Sequence, residues 1–213
     1  MTSIDASARH DLTDAQWALL EPLLPAPPVR GRPRRYPLRA MIDAVRWRTR
    51  VGAPWRDVPA RYGPWWRAYA LYRAWQLNGV WERIEAALVA RADAAGKIDW
   101  RVSVDSTAVR AHVHAAGARG DSVERVEGEP DDHALGRSRG GWGTKIHAAV
   151  EAGLGVMSLL LTAGQAGDCP MMIPVLEAIS VKRPARGRPR TRPDRVLADR
   201  AYSSRANRDW LRA

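Results

Sequence analysis

The chain has 213 residues, 46% of them hydrophobic, a length that fits one large or two small domains with a buried core. Its net charge of +11 favours a polyanionic partner, nucleic acid before an anionic membrane surface, although a GC-rich genome would also enrich arginine. A single cysteine excludes a disulfide framework, and the absence of a signal peptide or an apolar run of roughly 18 residues predicts a cytoplasmic, non-membrane protein.

Residues 1–96 are predicted to form a helical domain. The capping box "TDAQ" starts a first helix at Thr13. Apolar residues at helical spacing from Leu38 to Val45 mark a second helix, which Gly52 can end. "PWRDVPARYG" predicts a short helix that stops at Gly63, and "PWWRAYALYRAWQLNG" and "VWERIEAALVARADAAG" predict two longer ones. A short helix, a glycine turn and a longer helix are typical of a helix-turn-helix.

Residues 97–213 are predicted to form an α/β domain. Alternating residues predict a strand that ends at Asp105, and "TKIHAAVEAGLGVMSLLLT" predicts a two-stranded hairpin. A short helix in "MMIPVLEAI", a buried strand in "VLAD" and a final helix over 203–212 follow. Residues 115–140, with their acidic run, and the basic segment Lys182–Arg195 are predicted to be exposed loops. This order is that of the front part of a ribonuclease-H-like mixed sheet, truncated after its fourth strand.

Two of these predicted strands end in an aspartate, Asp105 and Asp199. In the predicted sheet the two strands are parallel neighbours, so their carboxyl ends converge. Carboxylates together with water and substrate phosphate suit Mg²⁺, and two such ions support phosphodiester chemistry. Taken singly, each aspartate fits a strand-end turn or a helix N-cap better than a metal site. The pair, in a basic chain, favours a metal site.

Arginine-rich segments are the candidate DNA contacts. "RGRPR" occurs twice, and an extended Arg-Gly-Arg-Pro core fits a narrow minor groove, whereas a solvated loop is the alternative. Tryptophans interleaved with arginines suggest base stacking, but their helical spacing favours core packing. The predicted DNA-contacting residues are Arg30, Arg32, Arg34, Arg35, Arg67, Arg73, Gln76, Arg139, Lys145, Arg186, Arg188 and Arg190.

Two other chemistries are disfavoured. The histidines and the single cysteine lack the ligand spacing of a zinc site; they are His112, His114, His133, His147 and Cys169. Ser106 lies in "DSTA" and not in a nucleophile elbow, so a serine hydrolase is not indicated.

Several long blocks resemble one family. "LTDAQWALLEPLLP", the segment from Gly31 to Ile84, "VDSTAVRAHVHAAGARG", "GRSRGGWGTKIHAAV" and "VLADRAYSS" are similar to bacterial insertion-sequence transposases of the Insertion Sequence Five family, which are DDE enzymes. The resemblance covers nearly the whole chain. It implies a helical domain for the transposon terminal inverted repeats and a ribonuclease-H-like domain that acts on target DNA. It also implies Asp105 and Asp199 as the first two catalytic acids, with Mg²⁺ or Mn²⁺, and leaves a homo-oligomer open.

The third acid of that family is a glutamate on a helix beyond the second aspartate. Only fourteen residues follow Asp199, so the chain is expected to correspond to the front part of a transposase. A first reading frame joined to a second by frameshifting and a decayed copy are both compatible with this, and either would cleave little by itself. The alternatives are a non-catalytic DNA-binding product that represses or modulates transposition, and a ribonuclease-H-type RNA nuclease.

Overall fold

The computed structural model describes residues 11–26, 35–112, 130, 133–153, 155–184 and 186–212. The predicted contacts Arg30, Arg32 and Arg34, together with His114 and nearly all of the predicted acidic loop, lie outside these residues. The chain divides into two compact units, Met1–Glu85 and Ala86–Ala213. Within the described ranges, no helix is long and apolar enough to cross a membrane.

The first unit is helical, as predicted. Its α-helices are α1 (Asp14–Leu20), α2 (Leu38–Val51), α3 (Trp65–Leu77) and the start of α4 (Val80–Ala94). The capping box is confirmed: Thr13 Oγ1 accepts from the Gln16 N–H at 3.2 Å, and Gln16 Oε1 accepts from the Thr13 N–H at 3.0 Å. The end of α2 is also confirmed, because Gly52 takes the left-handed φ of 72° that glycine adopts without strain.

The predicted short helix before Gly63 is wrong. The segment instead forms two 3-10 turns, Trp55–Asp57 and Ala60–Tyr62. Pro59 has no N–H and disfavours helical geometry in the residue before it, and Val58 accordingly has φ −58° and ψ 124°. The predicted helix-turn-helix therefore lacks its short α-helix over residues 55–63.

Tryptophans contribute to the core of the helical unit. Trp75 is buried and meets the ring of Trp81 edge-on, with centroids 4.8 Å apart. Trp55 and Trp65 are partly buried against a second cluster, so core packing is confirmed for most of the predicted stripe. Trp66 is the exception among these, with 48% of its surface exposed.

The second unit is built on a mixed sheet. Its strands are β1 (Arg101–Arg110), β2 (Gly136–Ser138), β3 (Gly141–Glu151), β4 (Val156–Ala163) and β5 (Arg195–Ala198). The helices α5 (Met172–Glu177) and α6 (Arg205–Arg212) complete it. β1 lies between β3, which is antiparallel to it, and β5, which is parallel, while β2 and β4 both pair with β3. The predicted parallel pairing of the first and fourth strands is therefore confirmed, with β5 as the fourth; β2 is an additional short strand that was expected to be loop.

One face of this sheet is covered and the other is open. Val102 and Val104 of β1 pack with Val175 and Leu176 of α5 in the main core cluster. Pro174 fits in α5 because it lies in the first turn, where backbone N–H groups have no helical partner. The prediction that "VLAD" is buried is wrong: β5 has a single strand neighbour among the described residues, and Leu197 is 51% exposed. Its apolar sequence belongs to a four-residue strand at the sheet edge.

Candidate active site

Asp105 and Asp199 occupy equivalent positions on neighbouring parallel strands. The register pairs Val104 with Ala198; Asp105 is the next residue of β1, and Asp199 is the first residue after β5. Asp199 keeps an extended backbone, with φ −61° and ψ 158°, before the chain turns at Arg200. The predicted end of the first strand is wrong, because β1 continues for five residues beyond Asp105, pairing with β3 as far as Arg110. Asp105 therefore lies in mid-strand, beside the point where β5 ends.

Both carboxylates are available to a ligand. Side chains alternate between the faces of a strand, so Asp105 lies on the open face, opposite the buried Val104. Asp105 Oδ1 accepts from the Ser106 N–H at 2.7 Å, and the Asp199 side chain forms no cap hydrogen bond. No ion pair between described residues engages either of them.

These side chains fit a hard divalent cation. Mg²⁺ and Mn²⁺ prefer carboxylate oxygens and retain several water molecules, for which the open face leaves room. In the described part of the chain, no group of three or more His, Cys, Asp or Glu side chains is arranged to hold a metal ion. Asp105 and Asp199 are thus two carboxylates that could contribute ligands to such a site.

A third aspartate, Asp168, lies in the segment between β4 and α5. The Lys145 ammonium donates to Asp168 Oδ1 at 3.0 Å and to the Ala166 carbonyl at 2.7 Å. Burial acts to raise the pKa of Asp168, but the hydrogen bonds from Lys145 and Ser106 outweigh it and hold the pKa below its usual value. Phosphate binding by Lys145, as predicted, would require it to leave this pair. Sequence reasoning missed Asp168, because "AGQAGDCP" has neither strand nor helix periodicity.

Two buried side chains adjoin Asp168. His147 Nδ1 lies 4.0 Å from Asp168 Oδ1, while Nε2 is 2.8 Å from Thr162 Oγ1. Burial lowers the pKa of His147, which favours the neutral ring. Tyr202 is only 4% exposed, and its pKa is raised by burial and then by the charges of three aspartates, Asp168, Asp105 and Asp199. Its hydroxyl therefore remains protonated.

The predicted DNA contacts fall into two groups. Five arginines are exposed: Arg35, Arg67, Arg139, Arg186 and Arg188. Arg67 stacks on the exposed Trp66, with its guanidinium 4.4 Å from the ring centroid. Other predicted contacts are engaged within the protein. Arg73 donates to Gln76 at 2.9 Å, and Arg190 lies 3.9 Å from the Trp100 ring centroid and donates to Asp194 at 2.6 Å.

Comparison with known protein families shows which family the chain resembles. Residues 12–85 match the family described as "Putative transposase of IS4/5 family", and residues 97–213 match "Transposase DDE domain". No solved structure matches the chain.

Three relatives are similar to the chain, and two of them are named for the insertion element IS402. The IS402 uncharacterized 16.2 kDa protein of Burkholderia cepacia is 39% identical over 114 residues, covering 49% of this chain and 76% of the relative. The uncharacterized protein y4sN of Sinorhizobium fredii is 38% identical over 108 residues, covering 51% and 82%. The "Putative transposase for insertion sequence element IS402" of Burkholderia cepacia is 36% identical over 70 residues, 33% of each chain. The resemblance seen in the sequence is confirmed: the chain belongs to the IS4/5 family of DDE transposases, and its function is that of a transposase.

Proposed function

We propose that residues 97–213 are a ribonuclease-H-like catalytic domain in which Asp105 and Asp199 hold a divalent cation for DNA strand cleavage and transfer. One observation carries this proposal. The parallel pairing of β1 with β5 puts the two aspartates next to each other, exposed, and outside any ion pair between described residues. Like charges at neighbouring positions are unfavourable by themselves, so a site that keeps them together is well suited to a cation.

The strand order supports the ribonuclease-H-like assignment. An antiparallel hairpin, β3–β4, lies beside β1, and a crossover through α5 then returns the chain as the parallel strand β5. A bound Mg²⁺ or Mn²⁺ would activate the attacking oxygen and stabilise the leaving oxygen of a phosphodiester. The contribution of the protein is to hold two carboxylates side by side at the ends of paired parallel segments, on an open face that a DNA backbone can reach.

Residues 1–96 are, in this proposal, the DNA-binding domain for the terminal inverted repeats, and target DNA binds near the aspartates. Arg35 and Arg67 are exposed on the helical unit, and Arg139, Arg186 and Arg188 are exposed on the second. Arginines contact phosphates and carry most of the salt-dependent affinity for DNA. The exposed Arg67–Trp66 stack suits a helix that meets a nucleic acid backbone. Arg30, Arg32 and Arg34 remain predicted contacts, and such a protein would associate with the nucleoid.

A nicking assay tests the catalytic proposal. Duplex DNA carrying a transposon terminal repeat is incubated with the full chain and Mn²⁺, and strand cuts are mapped on a sequencing gel. Because two acids without a third should cleave little, we expect only weak nicking at the repeat end, which requires both Asp105 and Asp199 and is lost in Asp105→Asn and Asp199→Asn. Asp209→Asn, an exposed aspartate on α6, is the matched control. Nicking that persists in Asp105→Asn would refute the assignment.

The second candidate is a non-catalytic DNA-binding product that modulates transposition. It is favoured by the finding that the described residues bring two, and not three, acids to the site. Binding of the same DNA, measured by fluorescence anisotropy, would then survive both asparagine substitutions and fall steeply with salt, without any nicking. The two assays together therefore separate the two functions.

A further inference from the structure

A polar cluster lies on the sheet face opposite the two aspartates. Ser106 follows Asp105 and shares the covered face with Val104, because residues two apart lie on the same side of a strand. The register pairs Ser106 with His147 and Ala108 with Lys145, so both of these side chains lie on that face. Asp168 and Tyr202 complete what we call the back-face cluster: Ser106, Lys145, His147, Asp168 and Tyr202.

Tyr202 connects the two strands that carry the aspartates. Its backbone N–H donates to the Asp199 carbonyl at 3.0 Å, which closes the turn directly after β5. Its ring is buried in the core cluster with Val102 and Val104 of β1. Its hydroxyl lies close enough to Ser106 to have its pKa lowered by it. Tyr202 thus packs against β1 through its ring and closes the turn after Asp199 through its backbone.

The hydroxyl of Tyr202 is also unusual in being buried without a well-formed hydrogen bond to any described residue. A buried polar atom without a hydrogen bond destabilises the fold, so it is expected to have a role other than stability. The buried His147 Nδ1 is in the same situation. Both atoms belong to the back-face cluster, beside Asp168.

Asp168 and Lys145 hold the other side of Ser106. The carboxylate accepts one hydrogen bond from Lys145, which links β3 to the segment before α5, and Ser106 of β1 also lowers its pKa. Lys145 also balances the charge of a carboxylate that would otherwise repel the two aspartates of the site. The cluster therefore fixes the backbone beside Asp105 without adding a net negative charge.

We propose that Tyr202 and Asp168 are positioning residues that keep Asp105 and Asp199 at the separation a divalent cation requires. The need for them follows from the strand itself: β5 has four residues, pairs with β1 over only those four, and is exposed. A short edge strand frays easily, and Tyr202 is the buried anchor immediately beyond it. This inference rests on the proposed metal-binding role of the two aspartates.

The test is Mn²⁺ binding to the full chain, followed by the electron paramagnetic resonance signal of free Mn²⁺. Tyr202→Phe keeps the buried ring and removes the hydroxyl, and Asp168→Asn keeps the shape and removes the charge. Each is expected to weaken Mn²⁺ binding about 10-fold, the effect typical of residues that orient metal ligands. Ser106→Ala, which removes the link from the β1 side, is expected to do the same. Tyr69→Phe on α3 and Asp209→Asn on α6 are exposed controls and should leave the affinity unchanged.

A purely structural role predicts a different pattern. It would lower the melting temperature but leave Mn²⁺ affinity unchanged when binding is measured well below the melt. The positioning role predicts instead that Lys145→Met weakens Mn²⁺ binding as much as Asp168→Asn does. The double variant should bind Mn²⁺ no more weakly than either single variant, because the two side chains act as a pair.

The outcomes separate this inference from the proposed function. If Asp105→Asn abolishes Mn²⁺ binding while Tyr202→Phe, Ser106→Ala and Asp168→Asn bind like the wild type, the positioning role is refuted and the metal site stands. If the wild-type chain binds no Mn²⁺, or Asp105→Asn binds as well as wild type, the metal role is refuted and the positioning role with it.

Discussion

Glu151 offers a sharp test of how the sheet that carries the site is held together. It lies at the end of β3, is 7% exposed, and its two oxygens accept three backbone hydrogen bonds. Oε1 accepts from Gly155 at 2.8 Å, and Oε2 accepts from Gly153 at 2.8 Å and from Asp99 at 3.1 Å. The carboxylate thus ties the β3–β4 turn to Asp99, two residues before β1.

The substitution Glu151→Gln replaces one acceptor oxygen by an NH₂ donor that would face backbone N–H groups. With the amide oxygen kept toward Gly153 and Asp99, the hydrogen bond to Gly155 is lost. The other two hydrogen bonds then have a neutral acceptor instead of a charged one. A hydrogen bond to a charged group contributes about 1.5–3 kcal/mol, so we expect a loss of roughly 2–4 kcal/mol. For a chain of this size, each kcal/mol lowers the melting temperature by about 2–4 °C.

The pH dependence gives a second readout. Burial acts to raise the pKa of Glu151, but the three N–H donors outweigh it, so the pKa lies below its usual value. A carboxyl with a lowered folded-state pKa stabilises the fold above its unfolded pKa, about 4.3, and this stability is lost as the pH falls through the folded value. Glu151→Gln should therefore lose less stability than wild type between neutral and acidic pH.

Urea unfolding followed by circular dichroism measures both effects. Glu85→Gln, an exposed glutamate on α4, is the matched control and should change stability by less than about 0.5 kcal/mol. A Glu151→Gln variant as stable as the control at neutral pH, or with the same pH profile as wild type, would show that the three hydrogen bonds do not organise this turn.

Three further predictions follow from the structure. In metal-free buffer, the free energy of unfolding of Asp105→Asn and of Asp199→Asn should lie within about 0.5 kcal/mol of the wild-type value, since both carboxylates are exposed. In calorimetry with Mn²⁺ at 100 times its Kd, both variants should lack the stabilisation of about 2.7 kcal/mol that such a ligand confers. Equal stabilisation of variants and wild type would contradict the site. Thr13→Ala should cost the helical unit about 1 kcal/mol in urea unfolding, whereas Thr13→Ser should restore most of it; equal loss in both would argue against the capping box. Arg67→Ala should lower the slope of log DNA affinity against log salt concentration by about 1. Arg190→Ala should mainly lower the stability of the fold, because Arg190 stacks on Trp100. The reverse result would count against the proposed contacts.

Features set by neighbours in the chain could be predicted from the sequence. The start of α1 depends on a hydroxyl and an amide three residues apart, and the end of α2 on a glycine that accepts a left-handed φ. The strands β3 and β4 follow from alternation and the glycine turn between them. The neighbouring aspartates followed from strand order, because a hairpin and a crossover leave few positions for β5.

Other features were mispredicted, either because a proline interrupts a segment or because pairing with distant residues overrides the local pattern. The segment 55–62 was predicted to be one short helix, but Pro59 breaks it into two turns. β1 was expected to stop at Asp105, yet pairing with β3 extends it to Arg110. β5 was expected to be buried from its composition, but exposure depends on what lies beside a strand, which composition does not encode.

The sequence by itself determined the family, the helical and α/β halves, and the two aspartates as a pair, since each rests on short-range pattern or strand order. Only the tertiary structure decided how that pair is supported. Ser106, Lys145, Asp168 and Tyr202 are widely separated in the chain, and the register of β1 with β3 and β5 brings them together. The sequence also does not distinguish a charged residue that faces DNA from one that is paired within the protein. Lys145, predicted to bind phosphate, is held by Asp168 because the fold places a carboxylate 3.0 Å from its ammonium.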